Sequence, residues 1–142
     1  MSSTSPERSR SLPEAASIEE PVYTKLVIDH YRRPRNRGRL ASADAAAEAR
    51  SPICGDELRV TLALAAGRVT DVRFDGDGCA LSQALASLAS ERYPGMSVEQ
   101  ILALDETFTV GLLGSEVSRH RRGCAMLHLV TVQRALGAGG AM

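Results

Sequence analysis

The sequence predicts an α+β domain in which helices pack on one face of a small antiparallel sheet. Two neighbouring segments alternate apolar and polar residues, which is the period of a strand with one covered face. Other segments repeat apolar residues at helical spacing, one before the alternating pair and the rest after it. The length of 142 residues suits one domain. Helix, hairpin and then helices is an element order typical of an α+β fold.

The predicted hairpin has its turn at residues 66–67, an Ala-Gly pair. Its first strand covers 57–64, where leucine and valine alternate with mostly polar residues, and its second continues the alternation through Val72 and Phe74. The preceding segment 41–50 is mostly alanine, which favours helix by intrinsic propensity, but it is short and leads directly into a Ser-Pro turn. Periodicity assigns this segment to neither class.

Helical spacing of apolar residues predicts the remaining elements. The segments with this spacing cover 22–31, 81–89, 97–104 and 125–136. Pro34 and Gly38 close the first helix, and Ser97 with Gln100 forms a capping-box signal at the start of the third. Residues 1–20 are rich in Ser, Pro, Glu and Arg without periodicity, so they predict a disordered leader. The folded domain is expected over 21–136, followed by a flexible glycine-rich tail over 137–142.

Composition argues against several classes of partner. The formal net charge is zero and the sequence pI is about 6.8, so bulk electrostatics give no support to a nucleic-acid partner. No apolar run approaches the ~20 residues that a membrane span needs, and the N-terminus lacks the apolar region of a signal peptide. We therefore expect a cytoplasmic protein without nucleic-acid or membrane partners.

Three cysteines, Cys54, Cys79 and Cys124, are the most informative residues of the chain. Each is next to a glycine, which predicts turns or element ends where the backbone can approach a ligand closely. In the reducing cytoplasm such a set favours metal binding or thiol chemistry over disulfides. One free cysteine would be read as a small buried apolar residue, but three beside glycine indicate a site.

Asp56 supplies a fourth potential ligand, because only one residue separates it from Cys54 and both side chains can turn toward one ion. Three soft thiolates and one hard carboxylate suit tetrahedral zinc, or iron in a cluster. Among sulfur ligands the carboxylate is the one expected to leave most easily. Cys79 and Cys124 also lie where helices are predicted to begin, and the partial positive charge there stabilises an anionic sulfur. The four residues therefore predict an exchangeable metal site.

Further motifs surround these ligands in the same order along the chain. They are Leu-Val-Ile-Asp-His-Tyr at 26–31, Pro-Arg-Asn at 34–36 with Gly38, Pro-x-Cys-Gly-Asp at 52–56, Asp-Val-Arg-Phe at 71–74, Gly-Cys-Ala at 78–80 and Cys-Ala at 124–125. From about residue 22 to 136 the chain resembles the U-type iron-sulfur cluster assembly proteins, the family of IscU, SufU and the N-terminal domain of NifU. The resemblance implies an α+β fold and a metal held by Cys54, Asp56, Cys79 and Cys124. It also implies a SufS-like cysteine desulfurase as sulfur donor, and a downstream cluster scaffold or apo-protein as recipient.

Two branches of this family differ near the third cysteine. In the IscU scaffold branch a histidine directly precedes that cysteine, inside a Leu-Pro-Pro-Val-Lys segment, whereas this chain has Gly123 after Arg-His-Arg-Arg at 119–122. In the SufU branch an arginine shortly precedes the cysteine, as Arg121 or Arg122 does here. SufU proteins also carry an extra segment between the second and third cysteines, for which residues 80–123 leave too little room. Ligand identity thus favours SufU, and loop length favours IscU.

The hypothesis that follows is a SufU-like, zinc-dependent acceptor of persulfide sulfur. In it Cys54 takes the sulfur, Cys124 is the alternative acceptor and Arg121 is a supporting residue. The alternative is an IscU-like scaffold on which the same thiolates bind iron in a transient [2Fe-2S] cluster. Whether the chain is a sulfurtransferase-like enzyme or a non-enzymatic scaffold stays open between these two. A hypothesis of another class is a structural zinc-binding interaction domain without sulfur chemistry.

Two histidines, His120 and His128, are further candidates for the site. His128 lies four residues after Cys124, on the same face of the predicted helix, where it could reach the site or simply pack in the core. His120 could replace the missing histidine if its loop folds back, although such a residue is more often solvated. A thiol enzyme that uses either histidine as a base is a further hypothesis.

Overall fold

The computed structural model describes residues 24–51 and 55–137. Within these ranges five α-helices and three strands follow one another along the chain. They are α1 (Lys25–Arg32), β1 (Ala45–Arg50), β2 (Glu57–Ala65), β3 (Arg68–Asp75), α2 (Ala80–Ser90), α3 (Val98–Leu102), α4 (Glu106–Leu113) and, after a 3-10 turn (Arg119–Arg121), α5 (Arg122–Ala135). This order confirms the predicted α+β class.

The strands form one antiparallel sheet in the order β1-β2-β3. The predicted alternation is confirmed, because Leu58, Val60 and Leu62 of β2 are buried while the residues between them are partly exposed. Val72 and Phe74 of β3 are buried on the same face, and Val60 lies opposite Phe74 in the register. The sheet therefore has one apolar face for helices and one polar face.

The alanine-rich segment 41–50, which periodicity left unassigned, contains the edge strand β1. Each of its residues pairs with β2, from Ala45 opposite Leu62 to Arg50 opposite Glu57. Ala49 packs in a small cluster with Leu58 and Phe74. Tertiary pairing overrides the helical propensity of alanine here, so the predicted hairpin is part of a three-stranded sheet.

Helices α2 and α5 cover the apolar face of the sheet, and α1 and α4 pack against α2. Every residue of α2 from Leu81 to Ser90 is buried, so this helix lies at the centre of the core. In such a helix a polar side chain without a hydrogen-bond partner costs free energy, because water cannot reach it. The partners of its serines are therefore informative.

The serines of α2 hold the segment that follows α1. Nδ1 of His30 lies 2.7 Å from Ser87 Oγ, and the Arg35 N–H donates to the same oxygen at 2.9 Å. Asn36 Nδ2 donates to Ser90 Oγ at 3.0 Å. The Asp-His-Tyr-x-x-Pro-Arg-Asn motif therefore serves as a clamp between α1 and α2. His30 is buried on α1, whereas the apolar Leu26 and Tyr31 are exposed.

The region after α2 contains one more helix than the sequence analysis predicted. The capping box at Ser97 and Gln100 is confirmed, but α3 ends at Leu102 instead of Leu104. The chain then begins α4, which Asp105 caps by accepting from the Thr107 N–H. An aspartate at the N-cap and a glycine just after the helix, Gly114, were the sequence signals that could have found α4.

The chain ends lie mostly outside the described residues. The predicted leader over 1–20 is wholly outside them, as is the predicted tail beyond Gly137. Among the helices of residues 24–51 and 55–137, none is long and apolar enough to cross a bilayer.

Removing the hydroxyl of Ser87 should destabilise the domain, because His30 and the Arg35 N–H would both lose their buried partner. We expect Ser87→Ala to lower the free energy of unfolding by about 1–3 kcal/mol. Urea denaturation monitored by circular dichroism measures this difference. Ser118→Ala, which removes an exposed hydroxyl, is the control and should leave the unfolding midpoint unchanged. Equal midpoints for the two variants would contradict the clamp.

Candidate metal centre

Asp56, Cys79 and Cys124 bring their ligand atoms together at the end of the sheet where α2 and α5 begin. One carboxylate oxygen and the two Sγ atoms all lie within 4.8 Å of one another. A zinc ion has ligands at about 2.3 Å for sulfur and about 2.0–2.2 Å for oxygen, so such a separation fits ligands that share one ion. Asp56 and Cys124 are buried and Cys79 is half-buried. The donor set thus fits a tetrahedral zinc centre with thiolate and carboxylate ligands.

Each ligand is placed by a different part of the fold. Cys79 is the N-cap of α2, and its carbonyl accepts from the Gln83 N–H at 3.1 Å. Cys124 lies in the first turn of α5. Asp56 precedes β2, and its carbonyl accepts from the Ser51 N–H at 2.8 Å. The prediction that Cys79 and Cys124 lie at element ends is therefore confirmed.

Gly78 allows these groups to approach one another. A Cβ atom at this residue would lie 2.5 Å from Ser82 Oγ and 3.1 Å from Asp56 Cγ. Both distances are shorter than ordinary contacts, so a side chain here would overlap Ser82 Oγ and crowd the Asp56 carboxylate. The glycine beside Cys79 is therefore required by close packing at the candidate centre.

The remaining predicted ligand, Cys54, lies outside the described residues. Its neighbour Gly55 is described and donates its N–H to the Ser51 carbonyl at 2.8 Å. Ser51 is thus bonded through its backbone to both Gly55 and Asp56. Ser51 was not singled out from the sequence, where its only signal is its position just before the Pro-x-Cys-Gly-Asp motif.

None of the three histidines joins the ligand group, although all three lie within the described ranges. His128 is a core residue, with Nδ1 2.8 Å from the Tyr93 hydroxyl and Nε2 2.9 Å from Thr109 Oγ1. Burial lowers the pKa of His128 to about 3, so its ring is neutral at physiological pH. His120 is exposed and lies 3.3 Å from Ser118 Oγ. Both ring nitrogens of His128 are engaged, which leaves it no role as a ligand in this arrangement.

The two arginines before Cys124 differ in their surroundings. Arg122 is exposed and pairs with Glu106 at 3.2 Å. Arg121 is half-buried in the 3-10 turn that leads into α5. Of the two, Arg121 remains the candidate for a supporting role.

The sequence profile of the NifU-like N terminal domain matches residues 22–138. The zinc-dependent sulfurtransferase SufU of Bacillus subtilis is 34% identical over 95 residues, a match that covers 67% of this chain and 64% of the relative. The iron-sulfur cluster assembly scaffold protein IscU 1 of Archaeoglobus fulgidus is 29% identical over 115 residues, a match that covers 81% of this chain and 74% of the relative. The chain thus spans less than two thirds of the Bacillus relative.

Solved structures agree with this fold. A NifU-like protein (N-terminal) from Brucella abortus aligns with a TM-score of 0.70 at 22% identity, covering 82% of this chain and 93% of that structure. Identity this low supports the fold alone. Because proteins named SufU and IscU both match, similarity does not separate the two branches.

Adding a methyl group at Gly78 should weaken metal binding, because the new Cβ would overlap Ser82 Oγ and crowd the Asp56 carboxylate. We expect Gly78→Ala to raise the zinc dissociation constant about 10-fold or more, as for other changes that misplace metal ligands. Competition with a chromophoric chelator measures the constant. Gly111→Ala is the matched control, since nothing lies within 4 Å of a Cβ there. Equal zinc affinities in the two variants would contradict the packing argument.

Burial of neutral His128 should make stability depend on pH. Its folded pKa of about 3 lies below the unfolded value of 6.5, so its contribution is fully present above pH 6.5 and is lost as the pH falls toward 3. Within that window the free energy of unfolding should fall by up to ~1.4 kcal/mol for each pH unit of acidification. Burial also lowers the pKa of His30, which acts in the same direction.

Urea denaturation at several pH values from about 7.5 to about 5, a range that spans the unfolded histidine pKa of about 6.5, tests this dependence. His128→Gln, which keeps two polar atoms for Tyr93 and Thr109 but does not titrate, should have a shallower slope than the wild type. Equal slopes would indicate that other groups govern the acid sensitivity.

Proposed function

The chain belongs to the NifU-like N terminal domain family, and on that premise we propose that it is a zinc-dependent acceptor of persulfide sulfur from a cysteine desulfurase. Family membership confirms the resemblance predicted from the motifs, and its relatives include curated iron-sulfur cluster assembly proteins. The zinc-dependent function is carried over from the name of the Bacillus relative and from the donor set of this chain. We assign Cys54, Asp56, Cys79 and Cys124 as the metal ligands.

The observation that carries this proposal is the composition of the ligand group, in which two thiols meet a carboxylate and no imidazole. A scaffold of the IscU type has a histidine directly before its third cysteine, and this chain has Gly123 there. Nor can another histidine of the chain take that place as folded, because His30 and His128 have buried partners and His120 is exposed. The centre therefore favours sulfur acceptance over cluster building.

Zinc, when bound, would hold the cysteine sulfurs as thiolates at neutral pH. Cys79 is the N-cap residue of α2, so it lies at the end of the helix that has partial positive charge. Asp56 is the hard ligand among soft ones and the one expected to exchange.

Sulfur transfer then requires one nucleophilic substitution. The Cys54 thiolate attacks the outer sulfur of the desulfurase persulfide, a new S–S bond forms on Cys54, and the donor S–S bond breaks. The cysteine of the desulfurase leaves as a thiolate, so the exchange between the two proteins involves no net oxidation. Cys124 is the alternative acceptor. We assign Arg121, three residues before it, a supporting role in which its positive charge would stabilise the negative charge on the sulfur.

The second candidate function is a scaffold for a [2Fe-2S] cluster. It is favoured by the interval between Cys79 and Cys124, which α2, α3 and α4 fill with short connections and without an inserted element. The scaffold function is also favoured because several relatives are IscU scaffold proteins, including one of Thermotoga maritima that is 39% identical over 85 residues. In this reading the same residues would bind iron.

Metal content and sulfur release test the proposal together. Freshly purified protein should contain about one zinc per chain without visible absorbance, and it should accelerate sulfide release by a SufS-like desulfurase given cysteine and a reductant. Cys54→Ser should abolish the acceleration, because the accepting sulfur is gone. Cys124→Ser reports whether the alternative acceptor carries the reaction instead.

Other outcomes identify the competing functions. Iron and a brown chromophore would support the scaffold, and zinc with no effect on any cognate desulfurase would support a structural zinc domain. Asp56→His separates the sulfur acceptor from the structural zinc domain, because a structural site tolerates a stronger ligand, whereas an exchangeable site should lose sulfur-transfer activity. Sulfur transfer that survives metal removal would indicate a simple thiol enzyme.

A further inference from the structure

Ser51 has a buried hydroxyl beside the candidate centre that the proposed function does not use. The residue is 3% exposed, and its Oγ has no hydrogen-bond partner among the described residues. A buried hydroxyl without a partner is unfavourable, since it has lost its bonds to water and gained none. We therefore expect this hydroxyl to gain a hydrogen-bond acceptor when the protein acts.

The backbone of Ser51 ties this hydroxyl to the segment that carries two of the proposed ligands. Its N–H donates to the Asp56 carbonyl, and its carbonyl accepts from the Gly55 N–H, both at 2.8 Å. Ser51 is therefore bonded through its backbone to Gly55 and to the proposed ligand Asp56.

The hydroxyl also faces the start of α5. A Cβ atom built on Gly123 would lie 3.3 Å from Ser51 Oγ, closer than an ordinary contact. The backbone of Gly123 has no left-handed φ angle, so the conformation itself would accept alanine, which favours helix. A glycine directly before Cys124 therefore leaves space for the Ser51 hydroxyl.

From these contacts we propose that Ser51 is a positioning residue whose hydroxyl donates a hydrogen bond to an anionic sulfur of this centre. The assignment rests on the proposed function, because the sulfur becomes a strong acceptor only as a thiolate or a persulfide. A neutral thiol is a weak acceptor, and a charged sulfur is a stronger one. Gly123 keeps the approach of this hydroxyl to the centre open.

Zinc affinity tests the thiolate as the acceptor. Ser51→Ala should raise the zinc dissociation constant about 10-fold, the size of effect expected from losing one hydrogen bond to a metal ligand. Ser51→Thr, which keeps a hydroxyl, should bind zinc more tightly than Ser51→Ala. Ser115→Ala is the matched control, since Ser115 also has a buried hydroxyl oxygen without a partner within the described part of the chain.

A double-mutant cycle tests the link to Gly123. Gly123→Ala should weaken zinc binding in the wild-type background, where the new methyl group meets Ser51 Oγ. In the Ser51→Ala background that oxygen is absent, so the same change should have little further effect. An equal effect of Gly123→Ala in both backgrounds would overturn the pairing of the two residues.

Persulfide lifetime tests the second form of anionic sulfur. Metal-free protein is treated with inorganic polysulfide, and the persulfide that remains is followed by alkylation and mass spectrometry. Ser51→Ala should shorten the lifetime relative to the wild type and to Ser115→Ala. A change in the zinc constant alone identifies the thiolate as the acceptor, a change in lifetime alone identifies the outer sulfur, and either supports the proposal.

The failure of this assignment is distinguishable from failure of the proposed function. Wild-type protein that binds no zinc and holds no persulfide would overturn both. Wild-type protein that binds normally, with Ser51→Ala equal to Ser115→Ala in both measurements and folded by circular dichroism, would overturn only the role of Ser51.

Discussion

The burial of α2 on all sides is the constraint on which this domain depends. No water is available to the serines of that helix, so the fold has to supply their partners. Ser87 and Ser90 find them in the segment after α1, and Ser82 Oγ donates to the Cys79 carbonyl at 3.1 Å. The same helix carries Cys79 at its N-terminus, so the packing that fixes the helix also fixes one sulfur of the centre. Stability and site geometry are therefore set by one element.

The chemistry of the centre follows from what surrounds it. A buried carboxylate is costly unless partners or a metal compensate for lost hydration, and Asp56 lies within metal-ligand reach of two sulfurs. The three histidines serve elsewhere: His30 in the clamp on α2, His128 in the core between Tyr93 and Thr109, and His120 at the surface. This division of roles is what favours a thiolate and carboxylate centre over one that includes imidazole.

Local patterns predicted the elements whose residues face one uniform environment. The alternation in β2 and β3, the apolar repeats in α2 and α5 and the capping box of α3 all correspond to elements of the structure. Periodicity left β1 unassigned, because alanine has no strand preference of its own and pairing with β2 decides the conformation. It also failed for α4, which is too short for periodicity to mark, although Asp105 and Gly114 bracket it.

The sequence by itself determined the chemical identity of the candidate ligands and the family, because both are properties of residue types in a fixed order. The α+β class followed as well, since strand and helix periods are local. Only the tertiary structure decided that Asp56, Cys79 and Cys124 meet, that His128 belongs to the core, and that the Ser51 hydroxyl faces Gly123. These residues are far apart in the chain, and their proximity depends on how α2 and α5 pack across the sheet. No local pattern encodes that packing.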